Sequence, residues 1–89
     1  MVSAQKSADT LAGCPLDDLM ARECGLILGL SGMHSLVSRL ASLGFVPGTT
    51  ICMEHNYGSG PIIVRVRQAR VALGRPEAMH ILVKKETPA

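Results

Sequence analysis

The chain has 89 residues, 47% apolar and 18% charged, with nine Lys or Arg against seven Asp or Glu for a net charge of +2. That length suits one domain, and a chain this small hides only roughly 60% of its unfolded surface on folding, so nearly every well-placed apolar residue belongs in the core. The small charge excess implies no obligatory polyanionic partner, and a single Phe, a single Tyr and no Trp disfavour the aromatic platforms that hold proline-rich peptides or single-stranded nucleic acid.

Residues 1–13 are small and polar with no sustained period, and read as a flexible lead-in. Leu16 and Leu19 lie three apart around Asp17 and Asp18, which predicts one helical turn with both leucines on the core. Gly25 to Leu30 predicts a first strand, with Leu26, Leu28 and Leu30 on one face and Gly25 and Gly29 on the other. A helix follows from about Met33 to Leu43, carried by Leu36, Leu40 and Leu43 and ended by Gly44, and Pro47-Gly48 then turns the chain.

Second and third strands fit Thr50 to His55 and Pro61 to Arg67, joined by the loop Asn56-Tyr57-Gly58-Ser59-Gly60. Alternation turns Ile62, Val64 and Val66 inward and Ile63, Arg65 and Arg67 outward. A reversal at Arg67 to Arg70 leads to a fourth strand over Val71 to Leu73, one helical turn at Pro76-Glu77-Ala78, and a fifth strand over Met79 to Val83. Five short strands with one inserted helix predict a mainly β fold, a small bent, partly open barrel.

Three cysteines, Cys14, Cys24 and Cys52, make an odd number without a CxxC pair, and no signal peptide is recognisable, so the reducing cytoplasm is the expected location. The uncharged run from Cys24 to Ser38 is broken by glycines, serines and His34 and ends at Arg39 before bilayer length, so no membrane insertion is expected. Among the three cysteines and three histidines (His34, His55, His80), Cys24, Cys52, His34 and His55 are candidate ligands for Fe(II) or Zn(II), but they are spread over different elements, and period two places the one pair on a common strand, Cys52 and His55, on opposite faces. No GxSxG elbow is present, and Gly58-Ser59-Gly60 reads as a hairpin tip, not a phosphate loop, so no enzyme is expected. Arg65, Arg67, Arg70 and Arg75 can form an outward cationic strip suited to an acidic protein surface or, less readily, nucleic acid or anionic lipid headgroups; the plain alternative is a solvated edge guarded by charge.

Three segments carry a resemblance to a known family. They are Pro15-Leu16-Asp17-Asp18-Leu19, then Arg39-Leu40-Ala41-Ser42-Leu43-Gly44-Phe45-Val46-Pro47-Gly48-Thr49, then Pro61 to Val66 with Val71 to Arg75, Glu77-Ala78 and Ile81 to Val83. In order and spacing the chain resembles the FeoA-like proteins, small accessory proteins of bacterial ferrous iron uptake with an SH3-like barrel, related to the C-terminal domain of iron-dependent repressors. The resemblance implies a domain over residues 14–85 with an 86–89 tail, no required cofactor, and a partner in the cytoplasmic region of the FeoB transporter. The alternative it implies is a metal-responsive or nucleic-acid-associated regulatory module, and a free-standing metal carrier is a third reading. The expected partner surface combines His34, Arg39, Asn56, Tyr57, Arg65 and Arg67, and exposed sheet edges leave room for a weak homodimer.

Overall fold

The computed structural model describes residues 13–86, so residues 1–12 of the expected lead-in and residues 87–89 of the expected tail lie outside it. The elements are β1 (Cys14–Pro15), a 3-10 turn (Leu16–Asp18), β2 (Cys24–Leu30), α1 (His34–Ser42), β3 (Thr50–His55), β4 (Ile62–Val66), β5 (Ala69–Leu73), α2 (Arg75–Ala78) and β6 (Ile81–Glu86). The strands make one antiparallel sheet in the order β1-β6-β2-β3-β4-β5. The two-residue β1, which brings the expected five strands to six, pairs Cys14 with Val83 at the sheet's edge.

The nine residues of α1 are too few for a stable isolated helix, so the helix depends on what it packs against. Leu40 is fully buried and Leu36 half-buried, while Leu43 points largely to water. The helix ends where Gly44 adopts φ +107°, with the Gly44 N–H donating to Ala41 O (3.0 Å) and the Phe45 N–H to Leu40 O (3.1 Å). This double closure satisfies orphan carbonyls and sends Phe45 into the same core cluster as Leu40.

That cluster holds Leu16 from the 3-10 turn and Leu19 just after it, Ile51 and Met53 from β3, Ile62, Val64 and Val66 from β4, and Ile81 and Val83 from β6. The inward alternation of β4 is as the sequence predicts. β2 departs from its expected facing: Gly25 and Ile27 point to the core, whereas Leu26 and Leu28 are half-buried on the other face. A register shift between Ile27 and Gly29 inserts one residue, Leu28, so that Leu30 returns to the core side opposite the buried Ile81. Strict period two cannot reveal such an insertion. At the β4–β5 hairpin the two-residue turn Arg67-Gln68 joins the pair Val66↔Ala69, with Arg67 at φ +59°, the left-handed conformation such tight turns need.

Candidate functional site

One face of the sheet is turned to the core, and the other displays charged and sulfur-bearing side chains. Register aligns Glu86 of β6, Cys24 of β2, Cys52 of β3, Arg65 of β4 and Arg70 of β5 in one row across that outer face. Cys24 and Cys52 are joined in a disulfide, with S–S 2.03 Å and Cα–Cα 3.9 Å. Their pair lies between hydrogen-bonded neighbours, since Met53 N donates to Glu23 O (2.8 Å) and Ile27 N to Thr49 O (2.9 Å). Non-hydrogen-bonded antiparallel pairs bring facing side chains closest.

A second register shift, between Met53 and His55, makes Glu54 the extra residue of β3. Two consequences follow for the site. The Glu54 carboxylate accepts from Arg65 Nη2 (2.8 Å) and from Arg70 Nε (3.0 Å), tying β4 and β5 to the bulge and offsetting part of the cationic strip. His55 is carried onto the outer face opposite Ile63, which corrects the expectation that it and Cys52 are split between faces. Cys52, Glu54, His55 and Arg65 line one hollow of about 400 Å³ together with Arg22, and the exposed His55 stands beside Tyr57, whose hydroxyl lies 3.2 Å from His55 Nδ1 with the rings stacked at 5.9 Å.

Arg22, at φ +75°, also lines a larger open groove of about 1040 Å³, with Cys24, Leu26, Lys84, Lys85 and the carboxylates of Glu23 and Glu86. Lys85 is paired with Glu23 at 3.6 Å. Arg22, Arg67 and Lys84 have no ion-pair partner among the described residues.

The other expected site residues scatter. His34 and Arg39 are on α1, where His34 Nε2 lies 3.4 Å from Ser38 Oγ and Arg39 Nη2 donates to Glu77 Oε2 of α2 (3.2 Å); neither lines the hollow or the groove. Asn56 belongs to the frame: its Nδ2 donates to Asp17 O (3.1 Å) and Leu19 O (2.7 Å), while its Oδ1 accepts from Gly58 N (3.0 Å) and Arg75 Nη2 (2.6 Å). Arg75, expected in the outward strip, is thus turned to the 3-10 turn, with Asp17 Oδ2 at 3.9 Å.

The four expected metal ligands do not assemble either. Cys24 and Cys52 are consumed by their mutual bond, and among the described residues no group of three or more His, Cys, Asp or Glu is placed to hold an ion. Cys14 is the free cysteine, half-buried, and burial with the nearby Asp18 carboxylate pushes its thiol up from the ordinary value. Sequence reasoning missed the Cys24–Cys52 pairing and the clamp at Glu54. The pairing needed the register of β2 against β3, which the long connection through α1 does not fix, and the clamp needed the bulge at Glu54; a cysteine immediately before the first predicted strand and another inside the second were a usable signal.

Comparisons with known proteins fit this architecture. The FeoA domain family matches residues 14–85. The chain is similar to a crystallised iron uptake regulatory protein, FeoA, at 32% identity, over 81% of this chain and 96% of that one, with a TM-score of 0.77. It is also similar to a zinc-complexed FeoA of Stenotrophomonas maltophilia, an SH3 domain protein, at 27% identity, over 86% and 100% of the two chains, TM-score 0.75. A manganese-dependent transcriptional repressor shares the fold alone, at 23% identity over 82% of this chain and 41% of its own, TM-score 0.76. No curated protein matches. The bent antiparallel sheet is therefore the SH3-like architecture.

Proposed function

Because the chain belongs to the FeoA domain family, we propose that it is a non-enzymatic accessory protein of bacterial ferrous iron uptake that docks on the cytoplasmic region of the FeoB transporter and modulates it. The observation that carries this reading is the family match, which spans nearly all the described residues. Geometry adds support: an SH3-like sheet commits one face to its core and presents the other as a rigid, charged surface. The Stenotrophomonas relative has itself been put forward as a ferrous iron transport activating factor.

The docking surface of this reading centres on the outer face of β3 and β4, with Tyr57, 79% exposed, at one end and Arg67 at the other. Arg67 has no ion-pair partner among the described residues, so its charge is free to meet an acidic surface, whereas Arg65 is already held by Glu54. Such a role belongs on the cytoplasmic side of the membrane. No helix among the described residues is long and apolar enough to cross one.

Titration of the purified chain against the cytoplasmic region of FeoB by calorimetry tests the proposal. Saturable binding that weakens with salt and with Arg67→Glu supports it, and absence of binding at any salt concentration removes it. The likeness to the repressor is one of fold, so retention on DNA is not expected.

A further inference from the structure

We infer that Cys24 and Cys52 form a reversible thiol–disulfide switch on the outer face of the sheet, closed by small-molecule disulfides of the glutathione class and opened by the corresponding thiols. Neither cysteine belongs to the buried core cluster; both are half-buried and each lines an outward hollow. A small thiol can therefore approach the sulfurs from solvent. In the usual structural disulfide of a small domain the bond supplies what a thin core cannot, but here the core is continuous without it.

The switch also needs a fold that survives opening, and the strands supply it. β2 and β3 are held on both sides of the cysteine pair by backbone hydrogen bonds: Arg22 N to Met53 O (2.8 Å), Met53 N to Glu23 O (2.8 Å), Ile27 N to Thr49 O (2.9 Å) and Gly48 N to Ile27 O (2.8 Å). These keep the two thiols facing each other after reduction, so that the bond re-forms without a search.

Charges of both signs surround the pair. Arg22 and Lys84 line the hollows beside the sulfurs without ion-pair partners among the described residues, while Lys85 and Arg65 are already matched to Glu23 and Glu54; Glu86 opposes Cys24 across β2 and β6. Exchange runs through the thiolate, and the outward hollows let a small thiol or disulfide reach either sulfur. Cys14 lies apart from the pair, and burial with the Asp18 carboxylate pushes its thiol up from the ordinary value.

The exchange balances in two steps. One thiolate of the pair attacks a sulfur of the small disulfide RSSR, forming a mixed disulfide and releasing RS⁻; the second thiolate then attacks the protein sulfur, closing Cys24–Cys52 and releasing the second RS⁻. The protein gives up two electrons and two protons, and RSSR leaves as two RSH. The reverse consumes two RSH.

This goes beyond the docking reading and is tested without any transporter. The full chain and its Cys14→Ser variant are equilibrated in buffers ranging from mostly reduced to mostly oxidised glutathione, quenched with acid, unfolded, and alkylated with a polyethylene-glycol maleimide. The expected result is one transition, from three alkylated thiols to one in the parent chain and from two to none in the variant, at the same midpoint from either direction, with circular dichroism of the folded sheet unchanged across the range. A pair that stays oxidised in excess reduced glutathione, stays reduced in excess oxidised glutathione, or stops at a stable mixed disulfide overturns the inference. So does loss of the folded signal on reduction.

Discussion

Arg75 Nη2 donates to Asn56 Oδ1 over 2.6 Å, so that one amide joins α2, the β3–β4 loop and, through its own N–H groups, the 3-10 turn at Asp17 and Leu19. The Arg75 Nε beside it is buried without a partner, which makes the guanidinium dependent on this single neutral acceptor and on the more distant Asp17.

Replacing Asn56 by Ala removes this junction and strands Arg75. Part-buried hydrogen bonds contribute about 1 kcal/mol each and an orphaned polar group adds more, so the variant is expected to lose roughly 2–4 kcal/mol. On a domain of this size that is a fall in Tm of roughly 10–25 °C, read by thermal melting. Asn56→Asp is expected to recover only part of it, because a carboxylate keeps the Arg75 contact but has no N–H for Asp17 O and Leu19 O.

Two glycines separate conformational from steric necessity. At Gly44, φ +107°, an added Cβ finds no atom closer than 3.6 Å, so Gly44→Ala is expected to lose only the backbone term, about 1–2 kcal/mol. At Gly13, φ +81°, the same atom falls 2.5 Å from Val83 O and 2.8 Å from Leu28 Cδ1, so the strain is compounded by a clash with the backbone of β6. Gly13→Ala is expected to be the more destabilised by denaturant titration. Equal midpoints for the two variants contradict this.

The Cys14 thiol gives a pH dependence with a definite sign. Its pKa in the folded chain is raised by burial and then by Asp18, so folding favours the protonated thiol. The associated stability is fully present below the ordinary value of 9.0 and is lost as pH rises through the raised folded value. Melting curves above pH 9.0 are expected to fall less steeply with pH in Cys14→Ser than in the parent chain.

Glu54→Gln is expected to leave stability within about 1 kcal/mol, because both of its arginine partners are more than half exposed and such pairs contribute little. What changes is the surface: Arg65 and Arg70 gain an uncompensated charge, and affinity for an acidic partner is expected to rise, with a steeper salt dependence. Calorimetry at two ionic strengths reads this. A variant that binds no better than the parent excludes Arg65 and Arg70 from the contact.

Much of the frame is legible in the sequence because its signals are local. The Leu36 and Leu40 spacing, the helix-ending Gly44, the turn at Pro47-Gly48 and the alternation of β4 each act within a few residues, and the span of β3 follows from them. The facing of β2 and the position of His55 are not legible, because each depends on one inserted residue, Leu28 or Glu54, whose presence shows only when the neighbouring strand is in place. The site suffers most from this. Asn56 reads as a loop residue open to a partner, yet three carbonyl and guanidinium contacts from distant parts of the chain claim its amide. Cys24 and Cys52 read as separate donors, and only register makes them neighbours.

The bond between positions 28 apart also encloses α1 and the whole Gly44 to Thr49 connection in a covalent ring. A protease that nicks the backbone anywhere inside that ring yields two pieces that migrate as one until a reductant is added. Limited digestion run with and without reductant thus maps which of the connection's exposed residues are cut while the molecule stays whole.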